Sequence, residues 1–257
     1  MSRSLERGLR TLFFLSTRKS VGVTELAQEL QINKSTAYRI LETLQKYNMV
    51  EQSKSSAKYR LGPAILRLSD QLYKNLNIIA LARPHMIRLA DEVGESVHLC
   101  LLCNDSAVVI EQIITNSRLI VNAKIGNIEP LHASSVGKCL LAFSEPAIME
   151  QLLNRMEFPA FTDKTITDRE AMRAEIEKIK AQGYAVDNGE LSSDIKCVAV
   201  PVYNHMGEAI YSLGISGPLT RMTESKTEDT VKKLLKTRDA LSALLGYAAD
   251  QAEGGFL

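Results

Sequence analysis

VTELAQELQINKSTAYRILETLQKYNMVEQ, residues 23–52, holds two short apolar patterns of helical period separated by a break. In the first, Leu26, Ala27 and Leu30 share one face, with Thr24 placed to cap the helix they define. In the second, Ile32 can fill the corner between helices and Asn33 can cap the next helix. Ala37, Ile40, Leu41 and Leu44 then repeat at i, i+3, i+4 and i+7 as a core-facing stripe. The same rotation leaves Lys34, Ser35, Thr36, Tyr38 and Arg39 on the other faces or at the exposed first turn. Two short helices joined by a tight turn, the second bearing hydroxyls and cations outward, make a helix-turn-helix. The outward set suits a reader of the DNA major groove. Arg can pair with guanine edges, hydroxyls and the helix N-terminus with phosphates, and Tyr with a phosphate or a thymine methyl.

Upstream, Leu5, Leu9, Leu12, Phe13 and Leu15 recur at helical spacing between Ser4 and Ser16, with arginines on the other face: a first amphipathic helix. Downstream, MVEQSKSSAKYRLG reads as strand, polar turn, strand. Lys54, Lys58 and Arg60 give this hairpin the charge to lie along a phosphate backbone as a wing. Residues 1–75 carry 13 Lys and Arg against 6 Asp and Glu, while the remainder carries 18 against 24. A basic first quarter on an acidic body fits a nucleic-acid module joined to a domain with another task.

The whole chain has 257 residues, 45% hydrophobic and 24% charged, which favours two domains with sizeable cores. Cys100, Cys103, Cys139 and Cys197 are scattered rather than spaced as a disulfide framework, which suits a reducing compartment. The apolar run LFFLS is too short for a signal peptide and lacks a small-residue cleavage site, and no stretch approaches membrane-spanning length. The expected setting is the cytoplasm, with no membrane partner.

SLERGLRTLFFLS, VTELAQELQINKSTAYRILETLQKYNMVEQ and YRLGPAILRLSD resemble the IclR family of bacterial transcription regulators. The resemblance implies a winged helix-turn-helix over residues 1–62, a linker helix over 63–76 and an effector-binding and oligomerisation domain over 77–257. In the linker, Pro63 can open a helix whose Ala64, Ile65, Leu68, Leu72 and Leu76 form one apolar stripe, and a symmetric dimer would cover it.

Beyond the linker, residues 78–93 have helical period despite Pro84. SVHLCLLC and AVVIEQIIT form a hairpin across NDS, and LIVNAK has strand character. TDREAMRAEIEKIKAQGY is a helix opened by Thr167 or Asp168 and closed at Gly183. YAVDN, IKCVAVPVYN and EAIYSLGIS are strands, and a last helix runs from about Thr223 to Tyr247. The fold class is α+β with a largely antiparallel sheet, which also resembles the GAF-like effector domain of the family.

The stretch LHASSVGKCLLAF, residues 131–143, is the chemically crowded one. Its Gly137-Lys138 pair lacks the earlier glycine and the following Ser or Thr of a nucleotide-binding loop, with Cys139 after the lysine. His98, Cys100 and Cys103 could suggest a metal, yet no second Cys pair or His pair completes the set, and buried small hydrophobes account for the cysteines better. A nucleophile at Cys139 or Cys197 with His132 would need a base and an orienting carboxylate that nothing in the sequence supplies. No cofactor and no catalytic residue is expected. A helix beginning near Ser134 or Ser135 instead offers unpaired N–H groups and a positive dipole end, a seat for a carboxylate.

Carried over from the resemblance, the effector pocket comprises Ser135 and Val136 at that helix start with Ser134 beside them, Asp187, Ile195, Cys197 and Ser216, bordered by Val121 and Glu129. Two departures stand out: Gly214, where the family often has a small hydroxyl residue, and Glu129, an acid where an apolar wall is expected. The reading is a ligand-responsive repressor of a catabolic operon that binds double-stranded operator DNA and a small metabolite such as a carboxylate, as a homodimer or homotetramer. The alternatives are an enzyme carrying a DNA-binding head, and a constitutive DNA-binding protein with an inert dimerisation domain.

Overall fold

A computed structural model describes residues 2–53, 55–68, 77–115 and 124–248. The chain divides into two compact units, one ending at Leu76 and the other starting at Asn77. In the first, α1 (Arg3–Ser16), α2 (Val23–Glu29) and α3 (Lys34–Lys46) precede a two-stranded antiparallel hairpin of β1 (Val50–Gln52) and β2 (Tyr59–Leu61). Leu15, Leu26, Ala27, Ala37, Leu41 and Val50 are its core. α3 starts as its sequence predicts: the Asn33 carboxamide oxygen accepts the Thr36 N–H at 2.8 Å.

Two local expectations change. α2 is capped from Gly22, not Thr24. Thr24 lies within the first turn, and the Glu25 carboxylate reaches back to accept the Gly22 N–H at 2.6 Å. In α1 the period is right but the expected stripe is only partly covered, with Leu15 in the core and Leu12 packed against it. Thr11, Phe14 and Leu15 face the core, while Leu5, Leu9 and Phe13 are 64, 49 and 60% exposed. Residues 64–68 are helical, and the rest of the linker stripe, with Leu72 and Leu76, lies outside the described residues.

The second unit is an antiparallel six-stranded sheet in the order β5-β4-β3-β8-β7-β6. Its strands are β3 (Ser96–Cys103), β4 (Ser106–Ile113), β5 (Ile128–Glu129), β6 (Ala185–Asn188), β7 (Ile195–Tyr203) and β8 (Ala209–Pro218). Two long helices, α4 (Ile78–Val93) and α8 (Glu224–Leu244), pack on each other and on the central strands. α5 (Ser135–Ala142) packs on β3, β4, β6, β7 and β8, and with α6 (Pro146–Arg155) and α7 (Arg169–Gln182) supplies a second core. Strand alternation divides the residues between these layers. Val97, Leu99, Val198, Val200, Leu213 and Ile215 alternate with Ser96, His98, Cys100, Cys197, Ala199, Gly214 and Ser216.

α7 has the expected Asp168 and Gly183 at its ends. α6, with Pro146 in its first turn, has no counterpart among the sequence-based expectations, and LIVNAK lies almost wholly outside the described residues. No helix of the described residues is long and apolar enough to cross a membrane.

Candidate functional site

On the first unit, Ala37 and Leu41 hold α3 against the core, so the opposite face is free: Lys34, Ser35, Tyr38 and Arg39 are exposed and Thr36 is half-buried. The Ser35 hydroxyl donates to the Asn33 oxygen at 2.9 Å, so it belongs to the cap before any DNA arrives. On the hairpin, Lys58 lies 3.9 Å from Glu25, and the Arg60 Nε donates to Glu51 at 2.5 Å. All four side chains are well exposed, and such pairs are worth about 0–1 kcal/mol, little hindrance to a competing phosphate. Lys54 is outside the described residues.

In the second unit, the sheet register assembles a polar row. Asp187 pairs with Cys197, Cys197 with Ser216, and Ser216 with Ser96. The next row on the same face is Ala185, Ala199, Gly214 and His98. The start of α5 faces these rows across a cavity of about 100 Å³. Ser134, Ser135 and Val136 line it from the helix, and Asp187, Ile195, Cys197 and Ser216 from the strands, with Glu129 at its border. Val121 lies outside the described residues. His98, Leu191 and Ser192 also line it, and sequence reasoning misses all three. A polar ring inside the otherwise apolar SVHLCLLC is the available signal for His98; the loop positions 191 and 192 carry no periodic signal.

The first turn of α5 packs tightly on the Pro130–Leu131 segment that leads into it because residue 137 has no side chain. A Cβ there would stand 2.4 Å from the Pro130 carbonyl oxygen and 2.7 Å from the Leu131 Cα. The Gly137 N–H is taken by the Ser134 hydroxyl at 3.0 Å and that of Ser134 by the Pro130 carbonyl at 3.2 Å, and the first helical bond runs from the Lys138 N–H to the Ser134 carbonyl at 2.9 Å. Of the four N–H groups that a helix start leaves over, those of Ser135 and Val136 remain. The Ser135 hydroxyl, on a residue 1% exposed, has no hydrogen-bond partner. A buried polar atom left so is uncommon and asks for an explanation, a ligand among them.

The ionisable groups around the cavity are all driven toward their neutral forms. Burial lowers His98 to about 4, with no charged neighbour offsetting it. Burial raises Glu129, and the Asp187 charge adds to this. Burial also raises Asp187 against the opposing pull of backbone N–H groups and of Lys138. The Cys197 thiol, which accepts the Ser216 hydroxyl at 3.0 Å, is pushed up by burial as well.

Lys138 is fully buried, and its role is structural. Its Nζ donates to both Glu190 oxygens at 2.7 and 2.8 Å and to Glu175 at 3.0 Å. Asp187 accepts the Glu190 N–H at 2.6 Å, and the Thr165 hydroxyl donates to the Glu190 carbonyl at 2.6 Å. The segment after β6 that carries Leu191 and Ser192 is thus tied to α5. Cys139 sits in the core beside Leu140 and Ala199, its thiol pushed up by burial to about 12. His132 contacts the Pro159 carbonyl at 3.0 Å and stacks on Phe161. Among the described residues no group of three or more His, Cys, Asp and Glu could hold a metal.

A winged helix-turn-helix and a sheet domain enclosing a small polar cavity define a two-domain DNA-binding transcriptional regulator. Residues 4–54 match the IclR helix-turn-helix domain and residues 70–243 the bacterial transcriptional regulator IclR C-terminal domain. The chain belongs to the IclR family. It is 34% identical to the HTH-type transcriptional regulator KdgR of Escherichia coli, over 91% of this chain and 89% of that one. It is 30% identical to the regulator BhcR of Paracoccus denitrificans, over 98 and 90%. A crystal structure of an IclR-type transcriptional regulator from Silicibacter sp. TM1040 superposes with a TM-score of 0.84 at 27% identity, covering 95% of this chain and 96% of that one. These relatives are transcriptional regulators.

Proposed function

We propose that the chain is a ligand-responsive repressor of a catabolic operon whose second domain takes a small carboxylate. The orphaned Ser135 hydroxyl carries the reading, because it stands at a helix N-terminus where the Ser135 and Val136 N–H groups are also unclaimed. A carboxylate there would gain hydrogen bonds from Ser135 and Val136 and the favourable end of the helix dipole. Asp187, Cys197 and Ser216 would meet the ligand's other end, with Ile195 as apolar wall and Val121 at the rim. In the first domain, Arg39 and Tyr38 would read base edges, with Lys34, Ser35, Thr36, Lys54, Lys58 and Arg60 on phosphates. Two copies would place paired heads on a two-fold operator in the cytoplasm, and ligand binding would shift the population between head arrangements.

The test is a thermal-shift screen of small organic, sugar and aromatic acids on the full chain, followed by fluorescence anisotropy on operator DNA. A ligand at 100 times its Kd stabilises the native state by about 2.7 kcal/mol. The expected result is a raised Tm that Ser135→Ala diminishes, together with altered DNA affinity. Stabilisation without any effect on DNA, or turnover of the acid abolished by Cys139→Ala and Cys197→Ala together, would refute the proposal.

A further inference from the structure

We infer that His98 determines which acid this cavity accepts, its imidazole filling the place that a side chain at position 214 would take and meeting a second polar group of the ligand. The inference rests on the cavity being the ligand site. The β3–β8 register sets His98 directly opposite Gly214. A Cβ on residue 214 would stand 2.6 Å from the His98 Nε2, 3.0 Å from its Cε1 and 2.7 Å from the Val136 Cγ1. The ring is therefore wedged between the β8 backbone and the first turn of α5, a position open only because 214 is glycine. Val136 follows Ser135, so the ring borders the turn that carries the orphaned hydroxyl.

The imidazole is no member of an ion pair. It is 4% exposed, and burial alone accounts for its lowered basicity. A neutral imidazole has one N–H donor and one lone-pair acceptor, a combination that no other side chain lining this cavity provides from a rigid ring. Around it, the Ser216 hydroxyl is spent on Cys197, and one Asp187 oxygen on the Glu190 N–H. A ligand whose carboxylate takes the helix start meets in His98 both a donor and an acceptor for a neighbouring polar group. The class is a compact acid with a hydroxyl or oxo group beside its carboxylate, in preference to a plain alkanoate of the same size. A site built to hydrogen-bond such a group rejects the analogue lacking it, because its own polar atoms are then left unpaired.

The experiment titrates lactate, pyruvate and propionate into the full chain by thermal shift and calorimetry, for wild type, His98→Leu, His98→Gln, Gly214→Ala and Ser135→Ala. Wild type is expected to bind lactate or pyruvate about tenfold or more tighter than propionate, the size of one buried hydrogen bond to a neutral partner. His98→Leu and Gly214→Ala should collapse that ratio to within about twofold, and His98→Gln should restore part of it. Ser135→Ala should weaken all three acids and keep the ratio. A ratio that survives His98→Leu overturns this inference while leaving the carboxylate reading intact; failure of all three acids to bind wild type overturns both. Should the variants not fold, histidine-ring NMR on wild type decides. With four histidines in the chain, the His98 nitrogens must shift with lactate or pyruvate, and an unmoved ring refutes the role.

Discussion

Replacing Lys138 by Met removes a buried charge while keeping an unbranched chain of similar length. Two carboxylates lose their partner: Glu190, held at 2.7 and 2.8 Å, and Glu175, held at 3.0 Å. Removing one member of a buried pair costs roughly 3–5 kcal/mol, because the other charge stays desolvated. Here the low end applies. Glu190 and Glu175 keep 12 and 15% side-chain exposure, and Glu190, which burial already raises, can take up a proton. At about 2–4 °C per kcal/mol for a domain of this size, a loss of about 3 kcal/mol lowers Tm by roughly 6–12 °C. Thermal unfolding at neutral pH measures it. The double variant Lys138→Met with Glu190→Gln should recover about 1 kcal/mol or more through the coupling of contacting residues. A Tm change under about 2 °C, or strictly additive effects in the double variant, would refute a structural role for the lysine.

Two further outcomes are expected. Lys58→Ala and Arg60→Ala should each reduce the slope of log affinity against log salt by about 1 on operator DNA, measured by anisotropy; unchanged slopes would take the hairpin off the phosphates. Burial would raise the Glu95 carboxyl, but hydrogen bonds from Arg221 at 2.6 and 2.9 Å and from Lys226 at 2.7 Å outweigh it and hold it below the usual 4.5. The unfolded chain then binds that proton more readily, so the stabilisation is present above 4.5 and fades as pH falls toward the folded value. Glu95→Gln should lower Tm at neutral pH and flatten its acid-side dependence, and parallel curves for the two proteins would contradict this.

Local chemistry is the part of this molecule that its sequence discloses. Asn33 caps α3 and Ala37 and Leu41 face inward because cap preference and a 3.6-residue period act within a few residues. The same period cannot say which arc of α1 is covered. Leu5, Leu9 and Phe13 keep the spacing of a buried stripe yet lie outside, since the partner surface belongs to the other helices and the hairpin. α6 is hard to see although Pro146 marks its first turn. In the cavity, the serine-rich helix start is legible from its cap residues, but His98 becomes a wall only through its register opposite Gly214. Lys138 is similarly opaque. Excluding a nucleotide loop says nothing of Glu175 and Glu190, 37 and 52 residues further on.

The cavity's narrowness has its own consequence. The cavity is small, about 100 Å³, and the wall after β6 is clamped through Glu190 to Lys138, Asp187 and Thr165. A wall so tied resists swelling to suit a larger guest, and overpacking a filled site typically costs about 1–3 kcal/mol. For the proposed carboxylate, chain length would then be filtered by shape before any polar group is compared, and longer acids would bind more weakly.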